Sequence, residues 1–114
     1  MESKIIICSN VYRKNINSSE DYVLLVTESA QLVQTQENER AGKKYIQKLD
    51  IVADIDVDTS SDLQTIPQLF KLTDSEGNEI LWGDEQFKCR CESCIRERKH
   101  TRISFRRSST KSDL

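Results

Sequence analysis

Hydrophobic positions recur in short runs along most of the chain, and several runs alternate with polar residues at a period of two. Residues 3–12, centred on Ile5, Ile6 and Ile7, predict a first strand. Residues 13–21 form a polar connection rich in Asn and Ser, which favour turns. The β-forming run YVLLVT covers residues 22–27, and residues 31–35 continue it after a short turn. A polar loop over 36–43 separates these from Tyr45, Ile46 and Leu49. Beyond them Ile51, Ala53, Ile55 and Val57 alternate with Val52, Asp54, Asp56 and Asp58, the pattern of a half-buried strand. A turn at 59–62 leads to a strand over 66–72, with Pro67 near its start, where a missing N–H is tolerated. DSEGN at 74–78 is a hairpin signal, and residues 79–82 form the returning strand.

The period then changes. Phe87, Cys91, Cys94, Ile95 and Arg98 follow one another at spacings of four, three, one and three, which predicts one face of a helix. Gly83 or Asp84 suits its N-cap, and the cations over 96–99 suit its negative C-terminal end. RISF at 102–105 is a short strand candidate, and the polar residues 106–114 are expected to be a disordered basic tail. Six or seven strands followed by one C-terminal helix predict a mainly β fold over residues 1–105. Its expected form is a twisted antiparallel sheet bent into a partly open barrel and capped by that helix.

The chain has 114 residues, the size of one domain. No apolar run approaches the roughly 20 residues of a membrane-spanning helix. The opening MESKIIICSN is too short in apolar content for a secretory signal, so a cytoplasmic location is expected, with the four cysteines as free thiols. The net charge of −2 conceals an asymmetry. Residues 1–87 hold 16 acidic and 8 basic side chains, whereas residues 88–111 hold 9 basic and 2 acidic ones. An acidic body with a basic C-terminal quarter speaks to partners rather than to fold.

The cysteine pattern C-x-C-x2-C at 89–94, with His100 beyond it, supplies the ligand types of a zinc site. Helical spacing argues against that use: Cys91 and Cys94 would share a buried face and Cys89 would point away into solvent. The neighbours Lys88 and Arg90 would lower a thiol pKa, which leaves a redox or lipidated cysteine as an alternative. A Cys–His catalytic pair would lack a third orienting group. Asp54, Asp56 and Asp58 lack the glycine and closing glutamate of a calcium loop and alternate with apolar residues, as on the solvated face of a strand. Three scattered glycines do not make a phosphate-binding loop. No metal, cofactor or catalytic activity is expected.

Several segments, taken in order, resemble the class I myosin tail-homology domain, a pleckstrin-homology-like module. They are YRKN with YVLLVT, then KKYIQKLDIVADIDVDTSSD (43–62), EGNEILWGDEQFK and RERKHTRISF, together spanning about residues 4–107. The resemblance implies peripheral attachment of a motor, in a longer chain, to acidic phospholipids at a membrane or the cell cortex. It points to Arg13 and Lys14 in the first loop. Charge adds Arg96, Arg98, Lys99, Arg102, Arg106 and Arg107 as lipid-binding candidates. Glu20 and Asp21 stand where a cation would be wanted, so headgroup selectivity is expected to be slight. The alternative is a protein-interaction adaptor, acting through a sheet edge or through Ser112-Asp113-Leu114 as a PDZ-type ligand. Ser109, after Arg106 and Arg107, resembles a site for a basic-directed kinase. Nucleic acid is disfavoured, because the body is acidic and no aromatic residues interleave with the basic run.

Overall fold

Alternation along the first strand is interrupted once, and that interruption shapes the molecule. The computed structural model describes residues 2–39, 42–84, 88–97 and 100–109. Strand β1 (Glu2–Asn15) places Ile6 and Cys8 inward and Ile5 and Ile7 outward. A register shift between Cys8 and Asn10 resets the phase, so that Val11 is the next fully buried residue. A bulge bends its strand and increases the local twist. The two halves of β1 accordingly serve different neighbours. Residues 2–7 pair with β3 (Thr27–Glu39), and residues 8–15 pair with β5 (Gln68–Asp74). The short β2 (Val23–Leu25) pairs with β1 at Val11, Tyr12 and Arg13.

Strand β4 (Gly42–Ala53) returns from β3, and the two pair along nearly their full length. The chain then forms the helix α1 (Val57–Thr65) before β5, β6 (Glu79–Trp82), β7 (Arg90–Arg96) and β8 (Thr101–Ser109). All strand pairings are antiparallel, in the order β6-β5-β1-β3-β4-β8-β7. A single bridge between Gln68 and Cys89 brings the start of β5 to the approach of β7, so the open sheet curls until its ends nearly meet. Its concave side holds one hydrophobic core, with Phe70, Trp82 and Phe105 at the centre. The Phe70 ring lies 4.8 Å from Phe105 and 5.8 Å from Trp82, centroid to centroid.

The mainly β class and the hairpin at 74–78 agree with the expectation. Gly77 takes φ +88°, and Asp74 Oδ1 accepts from the backbone N–H groups of Glu76 and Asn78. Within the expected loop over 36–43, residues 36–39 and 42–43 are instead strand, with Gln36, Glu37, Asn38 and Glu39 of β3 paired to Tyr45, Lys44, Lys43 and Gly42 of β4; residues 40 and 41 lie outside the described residues.

Three expectations are corrected. First, the helix lies at 57–65, where a strand end and a turn were expected. Asp56 caps it, its carboxylate accepting from Thr59 N–H at 3.2 Å, and Ser60 and Leu63, three apart, are its buried positions. Alternation does hold through Ile51, Ala53 and Ile55, all buried, but Val57 is exposed. Second, the described part of the expected C-terminal helix is strand β7. A register shift between Cys91 and Ser93 inserts one residue, so Cys91 and Cys94 face the core three positions apart and imitate a helical period. Phe87 and Arg98 lie outside the described residues. Third, residues 106–109 are not a disordered tail but the end of β8, paired with 45–48 of β4. Residues 110–114 lie outside the described residues.

Gly83 follows β6 with φ +96°, and a Cβ there would sit 3.1 Å from both Cys89 Sγ and the Gln68 carbonyl oxygen. Gly83→Ala is therefore expected to cost more than about 1 kcal/mol, read as a lowered melting temperature. Gly77→Ala, where a Cβ meets nothing within 4 Å, carries the backbone strain alone and should cost less.

Candidate anion-binding surface

Period-two alternation in β8 sorts the cations of the C-terminal quarter onto two faces. Arg102, Arg106 and Ser108 are exposed, whereas Thr101, Ile103, Phe105, Arg107 and Ser109 are buried. Arg107, 3% exposed, reaches into the interior. Its Nη1 donates to Gln47 Oε1 at 2.9 Å, and its Nη2 meets Asp84 Oδ2 at 3.1 Å. Trp82 Nε1 donates to the same Gln47 oxygen at 2.9 Å, and Gln47 Nε2 donates to Gln34 Oε1 at 2.8 Å. This candidate contact residue is a structural one.

On the outer face Lys48, Arg106 and Arg90 stand side by side across β4, β8 and β7. Glu92 is drawn to Lys48 at 3.3 Å. Among the described residues neither Arg90 nor Arg106 has an ion-pair partner. Like charges directly opposite one another on paired strands repel. The two arginines line a hollow of about 470 Å³ together with Lys88, Cys91, Glu92, Ser108 and the largely buried Arg107. The three exposed cations of this hollow, Lys88, Arg90 and Arg106, can hold a phosphate or carboxylate group, and arginine presents a fork suited to bidentate contact.

The other candidates are dispersed. Arg13 Nε donates to Gln68 Oε1 at 2.9 Å and its Nη2 to Asn15 Oδ1 at 2.7 Å, and burial lowers its pKa against the opposing pull of Asp62 and Asp56. Lys14 Nζ lies 5.3 Å from the Tyr22 ring centre. Arg96 donates to the Ile55 carbonyl at 3.5 Å, and Arg102 Nε lies 3.8 Å from Glu97. Arg98 and Lys99 lie outside the described residues. Of the six candidates among the described residues, Arg106 alone combines exposure with a place in the hollow, to which Lys88 and Arg90 also contribute. The i, i+2 spacing of Lys88 and Arg90 was the signal for that pair, and it is informative only if the segment is read as a strand.

The thiols are disposed differently from the expectation. Cys89, expected to point into solvent, is fully buried and donates to the Gln68 carbonyl at 2.7 Å. Burial pushes its pKa up to about 11, against the smaller lowering effects of that hydrogen bond and of Arg107. Burial, with Asp74 adding, pushes Cys8 up to about 11 as well. Both therefore stay protonated and weakly nucleophilic near neutral pH. Cys91 and Cys94 are half-buried against the core. His100 Nδ1 faces Glu28 Oε2 at 3.2 Å, across from β3. Among the described residues no cluster of three or more His, Cys, Asp or Glu side chains has the arrangement of a metal site.

No family model and no curated protein matches the sequence. A solved structure, described as the crystal structure of a hypothetical protein from Staphylococcus aureus, is similar in fold, with a TM-score of 0.57. The match covers 90% of this chain and 66% of that chain at 14% identity. At that identity the likeness concerns the fold alone.

Proposed function

We propose that this chain is a non-catalytic binding module that attaches peripherally to acidic phospholipid surfaces through the outer face of β7 and β8. The observation that carries the reading is the pair Arg90 and Arg106, opposed across two strands and without an ion-pair partner among the described residues. A cationic pair of this kind repels itself until an anion joins it. Lys88 and the partly neutralised Lys48 extend the strip along the sheet.

The reading keeps the chemistry implied by the resemblance to the class I myosin tail-homology domain and moves the contact. Arg106 stays in it, Arg107 and Arg13 leave it, and Lys88 and Arg90 enter. The helix that a pleckstrin-homology-like layout places last stands at 57–65 instead, so the reading rests on the surface and not on that layout. A site in the cytoplasm beside a membrane or the cell cortex, and a motor domain in a longer chain, belong to the same proposal. Headgroup selectivity is expected to be slight, because the hollow is open and Glu92 is among the residues that line it.

The test is cosedimentation with vesicles of phosphatidylserine and phosphatidylcholine at low salt, beside neutral vesicles. Each Lys or Arg near an anionic bilayer contributes about 1 kcal/mol, so the variant K88Q/R90Q/R106Q should bind roughly 100-fold more weakly. Rising salt should weaken the wild type steeply, since exposed charges are screened over about 8 Å at physiological ionic strength. Arg13→Gln should change little. Equal binding by wild type and triple variant, or no binding by either, would remove the membrane reading.

A further inference from the structure

We propose that the free edge of β2 is a strand-addition site for an extended, cationic segment of a partner protein. The site lies where the sheet splits. Strand β4 ends with Ala53 opposite Thr27, at the start of β3, and does not continue alongside β2. The chain instead passes through Asp54 and Asp56 into α1. β2 therefore pairs with β1 on one side only. Its other side faces a cleft of about 260 Å³, walled by Val23, Leu24 and Val26 on one flank and by Asp54, Ile55 and Thr59 on the other.

Sheet edges are usually guarded against pairing by charged side chains, proline or bulges. The other edges each carry at least one charged side chain, although Ile5, Ile7, Leu81 and Ile95 on them are also exposed. β7 carries Arg90, Glu92 and Arg96, β6 carries Glu79, and the free side of β1 carries Lys4. β2 reads Val-Leu-Leu and has no guard. Val23, Leu24 and Val26 are 54%, 47% and 75% exposed. Isolated exposed apolar residues are ordinary, but three within four positions on an open edge form a patch.

Charge complementarity identifies the occupant. Glu20 and Asp21 precede β2, and Asp54 and Asp58 stand on the opposite wall and the first turn of α1. Among the described residues none of these four has an ion-pair partner. Asp56 is engaged as the helix cap and Glu28 by His100, while Arg13, the one cation among the described residues that line the cleft, is held by Gln68 and Asn15. A strand added to β2 would satisfy its free backbone groups, pack apolar side chains on Leu24 and Val26, which flank the buried Leu25, and present intervening Lys or Arg to the carboxylates. This surface is acidic and distinct from the β7–β8 strip, so the proposal stands apart from the membrane reading.

The test uses isotope-labelled whole chain and two synthetic peptides, one alternating lysine with valine and the other alternating glutamate with valine. The lysine peptide is expected to shift and protect the amides of residues 23–26, with salt-sensitive affinity. Val23→Lys, which installs the missing guard, should weaken binding by about tenfold or more, as should D54N/D58N. K88Q/R90Q/R106Q should bind the peptide as the wild type does. Equal binding of the glutamate peptide, or shifts that map away from β2, would overturn the proposal. So would concentration-dependent self-association that protects residues 23–26 and is abolished by Val23→Lys, because the occupant would then be a second copy of this chain.

Discussion

Phe70→Ala is expected to lower the unfolding free energy by about 3–5 kcal/mol. Phe70 is fully buried and makes ring contacts with both Phe105 and Trp82, which reach it from β8 and β6. Its loss removes more than its own apolar area. It opens a void between β6 and β8, which lie far apart along the sheet, and aromatic pairs of this geometry each contribute about 0.5–1.5 kcal/mol beyond area burial. A domain of this size has roughly 5–15 kcal/mol to lose, so the variant should melt about 10–20 °C lower. Urea denaturation followed by the fluorescence of Trp82, the chain's single tryptophan, reports on this packing directly. Leu81→Ala is the control: Leu81 neighbours Trp82 but is 66% exposed, and its loss should stay within about 0.5 kcal/mol. A loss below about 1 kcal/mol for Phe70→Ala would mean that the three rings do not pack in solution as described.

Legibility in the sequence followed the reach of each interaction. Residues 66–72 and 79–82 were readable as strands because alternation and the turn chemistry of Asp74 and Gly77 are local. The same locality misled at residues 88–96. Cys91 and Cys94 carry a spacing of three that a helix produces directly and a strand produces only with a bulge, and the bulge leaves no mark in composition. At 54–58 the alternation was real in burial but not in backbone: Ile55 faces the core, and the next residue, Asp56, caps α1. The Asp56 carboxylate, which alternation assigns to a solvated strand face, thus ends the strand path. The cationic quarter was readable as charge but not as a surface. Arg106 and Arg107 are adjacent in sequence, and only pairing with β4 decides that one faces solvent and the other Gln47. The partners that draw Arg107 inward lie 60 and 23 positions away.

That inward arginine leads to the second large effect, at the residue that holds it. Gln47→Leu is expected to cost about 3 kcal/mol or more, although leucine nearly fills the same volume. Gln47 is fully buried, and its carbonyl oxygen accepts from both Trp82 Nε1 and Arg107 Nη1 while its amide donates to Gln34. Leucine removes all three bonds at once. Each buried polar group deprived of a bond costs about 1–3 kcal/mol, more where a charge is involved, and the effects of neighbours do not simply add. Gln34→Leu, by contrast, removes one bond of Gln47 and leaves both bonds to its carbonyl oxygen, so it should cost less. The double variant Q47L/R107M separates polar satisfaction from packing. It withdraws the charge together with its acceptor, and Asp84, whose side chain is 56% exposed, can take up water instead. Its cost should therefore fall below the sum of the two single changes, since replacing a buried polar pair by apolar groups can be close to neutral whereas breaking it from one side is not. Chemical denaturation of the four proteins of this cycle measures the coupling. Strict additivity, or a Gln47→Leu protein within about 0.5 kcal/mol of wild type, would show that the glutamine does not hold Arg107 and Trp82 together.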